Sequence, residues 1–520
     1  MEPFTLTILG LAVSLLILRY VWSTWAHARK ARNWSCGPLP RYPTDILGIG
    51  PLREALQADK DGTLPLALER RIEVLSAREK HRVKTFSIRM VGRENIFTCD
   101  PANIQAMLAT KFKDFELGPV RRATLHPMLG TGIFTTDGEA WAHSRALLRP
   151  QFTRDQVGDL DLEERHLQQV MRALPVDPAT GWTSATNIQD IIFRLTIDSA
   201  TEFLVGESSG SQAEALRNGG KLPPDHFTGC FDRGQWYVLR RIRFEKFHWL
   251  ADNQESRDVE RRIHSYVDGF VNKALQAAAE GKPASPNYIF LEALVASTKD
   301  PVELRSQILN ILLAGRDTTA SLLSWSILML TRHPDVFQKL RATILADFGP
   351  YTSNYENITF AALKSCRYLQ YFMNEVLRLF PSVPINRRIA ARDTTLPRGG
   401  GPDGKSPVYV RAGQAIIYSV FVMQRQKEFF GEDAEVFNPD RWVDRRSGWE
   451  YLPFNGGPRV CLGQQFALTE AGYVLVRLLQ RFDAIEDVQP EKDIKYGISL
   501  IVAPKDPVTV RLHEAVPAAL

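Results

Sequence analysis

One cysteine in the last third of the chain stands where its thiol could do chemistry. The segment from Phe454 to Gly463 reads FNGGPRVCLG, so Cys461 follows a glycine-rich loop and precedes a helical pattern that runs to about Phe482. Backbone amides at a helix start favour negative charge, and we expect them to lower the pKa of this thiol. Such a thiolate suits the axial position of a haem iron, with Arg459 beside a propionate. The alternative is a buried structural cysteine.

An acid and an alcohol occupy the middle of a long predicted helix. Apolar residues recur at helical spacing from Pro301 to Arg332, and residues 314–319 within this stretch read AGRDTT. Thr318 can bond back to a carbonyl and open the helix locally, which would leave a groove for dioxygen. In that interpretation Thr318 donates a hydrogen bond in the groove and Asp317 relays protons through water. The alternative is a kink with a structural role alone.

Glu375 and Arg378 lie three residues apart on a second predicted helix, from about Phe360 to Phe380. Apolar neighbours predict that the pair is buried, and a buried pair needs a further polar partner. Arg441, in the segment FNPDRW, is the candidate. We assign these three residues a structural role behind the cysteine loop.

A weaker pattern comes earlier, in the segment WAHSR. Trp141 and Arg145 are four residues apart, so they share one face of a helix and could both reach a propionate.

The elements that must position these residues are mainly helices. Strand-like stretches occur early, at residues 83–88 and 95–98, and again between Arg387 and Val410, where prolines and glycines separate short apolar runs. The sequence therefore predicts a mostly α fold with a minor β part.

Composition excludes several classes of protein. The 520 residues are 44% hydrophobic and 24% charged, which is incompatible with a disordered or fibrous chain. The net charge of +5 is spread along the chain, so no nucleic-acid partner is expected. None of the five cysteines stands in a C-x-x-C pair and their number is odd, which argues against a disulfide framework and favours a reducing compartment.

The N-terminus carries a predicted membrane anchor. No charge interrupts the run from Phe4 to Leu18, and Arg29, Lys30 and Arg32 follow, which favours a single span with the body in the cytosol. A cleaved signal peptide would need a basic start that is absent, and a buried core helix is the other alternative. We predict an anchor at 1–28, a basic, proline-rich hinge at 29–43 and a catalytic domain at 44–520.

Together these motifs resemble the cytochromes P450, the haem-thiolate monooxygenases, over about residues 37–510. The resemblance implies the P450 fold, with a long central helix and the cysteine loop before the last long helix, and a haem b cofactor. It implies that Cys461 is the axial ligand, that Phe454 shields its sulfur, and that Thr318 and Asp317 serve oxygen activation. The residues it implies around the haem and its propionates are Trp141, Arg145, Arg388, Phe454, Arg459 and Gly463. Neighbouring Arg387 leaves the register of Arg388 open.

Three segments, at residues 134–152, 386–407 and 454–471, are similar to the fungal branch that hydroxylates n-alkanes and fatty acids. This implies terminal hydroxylation of a long-chain substrate, and the runner-up is oxidation of a secondary-metabolite intermediate. Apolar residues predicted to line the pocket, each of which could instead be ordinary core, are Phe112, Phe115, Leu125, Leu129, Ile311, Ala314, Val383, Ile385, Ile498 and Leu500.

Electrons are expected from outside the chain. No flavin- or nicotinamide-binding fingerprint follows the Cys461 helix, which predicts a separate electron carrier. The resemblance implies NADPH as the source and a flavoprotein of the NADPH–cytochrome P450 reductase type as the carrier. The predicted location is the endoplasmic reticulum membrane, with the catalytic domain facing the cytosol. Rival interpretations are a catalytically silent haem or lipid-binding protein, and isomerase or peroxide-driven chemistry on the same scaffold.

Overall fold

Helices dominate the structure, a computed structural model that describes residues 3–153, 160–282, 288–490 and 492–516. The helices are α1 (Pro3–Asn33), α2 (Ile49–Asp61), α3 (Leu64–Glu79), α4 (Pro101–Gln105), α5 (Pro119–Leu129), α6 (Gly138–Leu148), α7 (Leu160–Arg172), α8 (Ile188–Val205), α9 (Ser211–Arg217), α10 (Phe227–Phe244), α11 (Gln254–Ala279), α12 (Phe290–Val295), α13 (Pro301–Arg332), α14 (Pro334–Phe348), α15 (Phe360–Ser365), α16 (Arg367–Leu379), α17 (Val420–Met423), α18 (Lys427–Phe430) and α19 (Gln464–Arg481). Short irregular turns of helix include Ala106–Thr110, Glu245–Ala251 and Gly457–Arg459.

The β part is small and, within the described residues, divided among four sheets. Its strands are β1 (Thr85–Met90), β2 (Arg93–Thr98), β3 (Phe115–Glu116), β4 (Thr186–Asn187), β5 (Ile385–Ala390), β6 (Thr394–Gly400), β7 (Ser406–Val410), β8 (Ala415–Ser419), β9 (Phe482–Asp487), β10 (Tyr496–Ile498), β11 (Val502–Pro504) and β12 (Thr509–Glu514). The largest sheet has the order β1-β2-β8-β5-β3, with β2 and β8 parallel and the other pairs antiparallel. The predicted fold class, mostly α with a minor β part, is confirmed.

Helix α13 runs through the centre of the molecule and begins and ends at the predicted residues. The side chain of Asp300 caps its start by accepting a hydrogen bond from Val302 N at 2.9 Å, and Pro301 occupies the first turn, where its missing N–H is harmless. Trp325 has no exposed surface and stacks on Phe380 with ring centroids 4.3 Å apart. Most side chains of this helix are buried, as expected of a helix in the core of a large protein.

The predicted helix from Phe360 to Phe380 is wrong in one respect, because it consists of two helices. Cys366 separates α15 from α16 with a ψ of 88°, which no helical residue adopts. The interruption frees a carbonyl at Leu363, which accepts a hydrogen bond from Gln370 Nε2 at 3.0 Å. A buried cysteine with no breaker residue beside it gives no sequence signal for this change of direction.

Helix α1 continues to Asn33, so the first residues of the predicted hinge are helical. Its last turns contact the body: His27 Nδ1 lies 2.8 Å from the hydroxyl of Tyr409, and Lys30 pairs with Asp393. The side chains at 4–10, within the predicted span, lie outside the described residues. Over the part of the chain that the structure describes, no helix combines the length and the apolarity needed to cross a membrane.

Candidate active site

The loop before α19 holds Cys461 through its backbone. Cys461 N donates to the carbonyl oxygen of Phe454 at 3.0 Å, which closes the loop on itself. Asn455 and Gly457 both have positive φ, at 62° and 67°. A Cβ at position 457 would lie 1.8 Å from the carbonyl oxygen of Leu108, so only glycine permits this approach. The glycines of the motif therefore fix where the thiol stands.

Cys461 is an exposed residue, yet the protein around its thiol still excludes much of the water there. Burial raises the pKa of Cys461, while the N–H of Gly463 and the positive charge of Arg145 lower it and do not prevail. The predicted lowering of this pKa is therefore wrong for the protein by itself. The local amides act in the predicted direction, but desolvation by the tertiary structure outweighs them.

Four guanidinium groups from separate elements gather near the cysteine loop: those of Arg121, Arg145, Arg388 and Arg459. Burial first, and then repulsion by the neighbouring arginines, lowers the pKa of Arg459 and of Arg121 to about 10. The carboxylate of Asp137 opposes this effect and pairs with Arg459 at 2.7 Å. The cluster therefore carries more positive charge than the side chains described around it neutralise.

The cluster is tied to the cysteine loop and to the predicted aromatic residue. Arg145 Nη2 donates to the carbonyl oxygen of Val460 at 3.0 Å. The guanidinium carbons of Arg459 and Arg145 lie 4.5 and 5.8 Å from the centre of the Trp141 ring, which Phe112 also contacts. The structure thus brings Trp141, Arg145 and Arg459 together as one group.

Strand β5 separates its two adjacent arginines. Side chains alternate between the faces of a strand, so Arg387 and Arg388 point to opposite sides. Arg388 is 3% exposed and belongs to the guanidinium cluster, whereas Arg387 pairs with Glu245 on the other side. The sequence left open which of the two arginines faces the cluster, and in the structure it is Arg388.

The acid and the alcohol lie in the middle of α13, which stays helical throughout. Thr318 Oγ1 donates to the carbonyl oxygen of Ala314 at 2.7 Å, so the predicted bond back to a carbonyl is present. The local opening of the helix that was predicted with it is wrong, because α13 is helical on both sides of Thr318. Burial raises the pKa of Asp317 to about 6; the charge of Arg316 counteracts this and that of Asp232 adds to it. Arg316 Nη1 lies 3.1 Å from Asp317 Oδ1 and also contacts Asp232 on α10. Asp317 Oδ1 itself receives no hydrogen bond.

Glu375 and Arg378 on α16 have no exposed surface and form a bidentate pair, with both N–O distances 2.8 Å. Arg441 Nε lies 3.4 Å from Glu375 Oε1, so the predicted third member is in contact. Gln424 links this pair to the cysteine loop, because its amide donates to the carbonyl oxygen of Arg378 at 3.0 Å and its oxygen accepts from Leu452 N at 2.9 Å. Through Gln424 the pair is connected to the residues that lead into the loop.

This constellation is accompanied by a match to a known family. A family model described as Cytochrome P450 matches residues 67–511. The chain belongs to the cytochrome P450 family. It is 49% identical over 490 residues to cytochrome P450 monooxygenase g430 of a Fusarium species, covering 91% of this chain and 84% of that protein. Cytochrome P450 52A13 of Debaryomyces hansenii is 43% identical over 512 residues, 96% of each chain.

A solved structure shares the fold at low identity. The haem domain of cytochrome P450DA is 21% identical, with a TM-score of 0.73, and covers 93% of this chain and 99% of that one. The family, the enzyme class and the activity predicted in outline, a P450 monooxygenase that hydroxylates lipophilic substrates, are confirmed.

The residues present fit the haem that membership of the P450 family implies. A haem carries two carboxylates, and the excess positive charge around Arg121, Arg388 and Arg459 is suited to receive them. Cys461 is exposed and offers a sulfur ligand, and a thiol that coordinates a metal ion loses its proton.

The predicted pocket residues of this P450 fall into two hydrophobic clusters. Leu125, Leu129 and Ile311 are buried in one cluster, and Leu500 packs against it. Phe115 is buried in the other, against which Ile385 and Ile498 pack. Leu129 has no accessible surface, while Val383 is 38% exposed and Phe112 and Ala314 are half-buried.

Sequence reasoning missed four polar residues of this site: Arg121, Asp137, Asp232 and Gln424. Each acts through a partner far away in the chain; Arg316 and Asp232, for example, are 84 residues apart. None belongs to a motif with recognisable spacing. The one available signal was the Asp-Gly pair at the start of α6, which suggests a helix cap and not a counterion.

Proposed function

We propose that this P450 is a membrane-anchored haem-thiolate monooxygenase that inserts one atom of O2 into a terminal C–H bond of a long-chain fatty acid or n-alkane. The observation that carries the proposal is the loop before α19. It holds Cys461 in a position that glycine alone permits at residue 457, beside Arg145 of the guanidinium cluster. Similarity to the cytochrome P450 52A proteins over nearly the whole chain supports the same class of chemistry.

In this proposal Cys461 would supply the sulfur ligand of the haem iron, and the guanidinium groups of Arg121, Arg145, Arg388 and Arg459 would hold the two propionates. Bound haem supplies the activation of dioxygen and the transfer of an oxygen atom to carbon. Asp137 stays as the internal counterion that keeps Arg459 oriented, through its contact of 2.7 Å. Trp141 covers the cluster from the α6 side.

Protons reach the site along α13 in this proposal. Asp232 is about half exposed, at 55% of its side chain, and Arg316 bridges it to the buried carboxyl of Asp317. Because the pKa of Asp317 is near 6, this group can both hold and release a proton close to neutrality. Thr318 would turn its hydroxyl from the carbonyl oxygen of Ala314 toward the reacting oxygen and donate there.

Behind the loop, Glu375, Arg378 and Arg441 act as a structural support. Arg378 donates to the carbonyl oxygens of Ala434 and Gln424 at 2.6 and 3.0 Å, so one buried cation gathers the chain segments that lead into the cysteine loop. We infer a positioning role for this pair and no contact with substrate.

The membrane and the electron donor belong to the same proposal. The apolar run from Phe4 to Leu18 and the basic residues after it support a single-pass anchor in the endoplasmic reticulum, with the body in the cytosol. Residues 1–28, 29–43 and 44–520 are the proposed anchor, hinge and catalytic domain. NADPH would supply the electrons through a separate reductase-type flavoprotein. Sodium carbonate should leave the full-length chain in the membrane pellet and release a chain that lacks residues 1–33.

The absorption spectrum of the reduced, carbon monoxide-bound protein tests the ligand. We expect a strongly red-shifted Soret band that Cys461→Ser abolishes and that Cys36→Ser, at a half-exposed cysteine, leaves intact. The same band in Cys461→Ser would refute the assignment of the ligand.

Product analysis with reductase and NADPH separates the rival functions. Terminal hydroxylation of hexadecanoic acid or hexadecane is the expected outcome. Folded, haem-loaded protein that oxidises neither substrate would favour a secondary-metabolite substrate or a silent haem protein. Turnover without any reductase would favour isomerase or peroxide-driven chemistry.

A further inference from the structure

Two arginines from different strands of the largest sheet share one glutamate. Arg387 Nη1 on β5 donates to Glu245 Oε1 at 2.8 Å, and Arg93 Nη1, at the start of β2, lies 3.7 Å from Glu245 Oε2. Glu245 is the first residue after α10, and within the described residues it is the only acidic side chain that pairs with these two guanidinium groups. One carboxylate therefore bridges two cations.

The bridge is not tightly held. Glu245 has φ 49° and ψ −114°, a conformation that residues with a side chain rarely adopt. The side chain of Glu245 is 41% exposed. The buried Nε–H of Arg387 donates no hydrogen bond. A second carboxylate could use this free N–H, which Glu245 leaves unpaired.

Apolar side chains lie close to the bridge in the chain. Phe244 and Phe247, on either side of Glu245, are 39% and 56% exposed, and the segment Glu245–Ala251 packs on α5, which carries the predicted pocket residue Leu125. Ile385 lies two residues before Arg387 on the same face of β5. A ligand that fits these features has a carboxylate at one end and a long hydrocarbon chain at the other.

We propose that Arg387 and Arg93 form the carboxylate-binding site of a long-chain fatty-acid substrate, and that Glu245 occupies this site until the substrate replaces it. The inference rests on the proposed function and deepens it, because an n-alkane has no group for two guanidinium ions. The exchange conserves charge: one carboxylate leaves the arginine pair and another enters, with no buried cation left unpaired. A fatty acid held by its head group at this point presents its methyl end, and not its carboxyl end, to the interior.

Binding of two ligands of equal chain length tests the site in the full-length, haem-loaded protein. Hexadecanoic acid and hexadecane are titrated in detergent against the resting spectrum. Arg387→Met should weaken binding of the acid about tenfold or more, since a charge-assisted hydrogen bond is lost, and leave the alkane within about twofold. Glu245→Gln should strengthen binding of the acid several-fold, because the competing carboxylate is gone.

The control is Arg511→Met, which removes an exposed arginine paired with Glu486 at 3.8 Å on another sheet, and it should change neither titration. Equal weakening of acid and alkane in Arg387→Met, or weaker acid binding in Glu245→Gln, would overturn the proposal. So would a wild-type protein that binds the alkane and not the acid. These results differ from a failure of the proposed function, in which the wild-type protein lacks the red-shifted band or forms no hydroxylated product from either ligand.

Discussion

Replacing Glu375 by glutamine removes one buried negative charge and should be among the most destabilising single changes in the chain. The two oxygens of Glu375 accept hydrogen bonds from Arg378 Nε and Nη2, both at 2.8 Å, from Asn438 N at 2.9 Å and from Trp442 Nε1 at 3.0 Å. In Glu375→Gln an NH₂ group replaces one of these oxygens, and an NH₂ group cannot accept the hydrogen bonds that the oxygen accepted. Arg378, with no exposed surface, then has no counterion at hydrogen-bond distance.

The size of the effect follows from burial. Breaking a buried ion pair by removing one partner costs about 3–5 kcal/mol, which changes the unfolding equilibrium by roughly two to four powers of ten. Glu375→Leu combined with Arg378→Met should recover only part of this loss, because the carbonyl oxygens of Ala434 and Gln424 lose their donor.

Equilibrium unfolding in urea, followed by near-ultraviolet circular dichroism, measures the effect. The control is Glu214→Gln, since Glu214 and Arg217 have the same three-residue spacing and a contact of 2.6 Å, but on the surface. We expect a large shift of the midpoint for Glu375→Gln and hardly any for Glu214→Gln. Equal midpoints for the two variants would refute the argument that burial makes the Glu375–Arg378 pair important for stability.

Three further predictions concern the loop and the central helix. Gly457→Ala should abolish haem loading, because its Cβ would lie 1.8 Å from the carbonyl oxygen of Leu108. The control Gly413→Ala, also at a positive φ (77°) but with open space around it, should load haem normally. Normal loading of both variants would contradict the steric argument. The pKa of Asp317 is raised from 3.8 to about 6, so the folded state loses up to about 3 kcal/mol of stability as the pH rises from about 4 to about 6. Asp317→Asn should remove that loss, which is measured as the urea midpoint at each pH. An unchanged pH profile in Asp317→Asn would exclude Asp317 as the source of the loss. Thr318→Ala should lower product formed per NADPH at least tenfold with release of peroxide, and Thr318→Ser should restore most of it; unchanged coupling in Thr318→Ala would exclude the proposed donor.

Local patterns in the sequence predicted the elements that carry the chemistry. The bounds of α13 follow from apolar spacing, an aspartate cap and a terminal His-Pro step, all of which act within a few residues. The start of α19 after the glycine loop, the bond from Thr318 to the carbonyl of Ala314, and the burial of Glu375 with Arg378 depend on the same short range. Such features are readable because the interacting atoms are neighbours in the chain.

The tertiary structure decided what depends on distant partners and on competing effects. The direction of the pKa shift of Cys461 is set by desolvation from the whole fold, which outweighs the amide and the arginine close to it. The partners of Arg387 and Arg316 are Glu245 and Asp232, 142 and 84 residues away, and no local pattern selects them. Spacing encodes which side chains share an element, but which elements meet, and how much water they exclude, is determined when the whole chain packs.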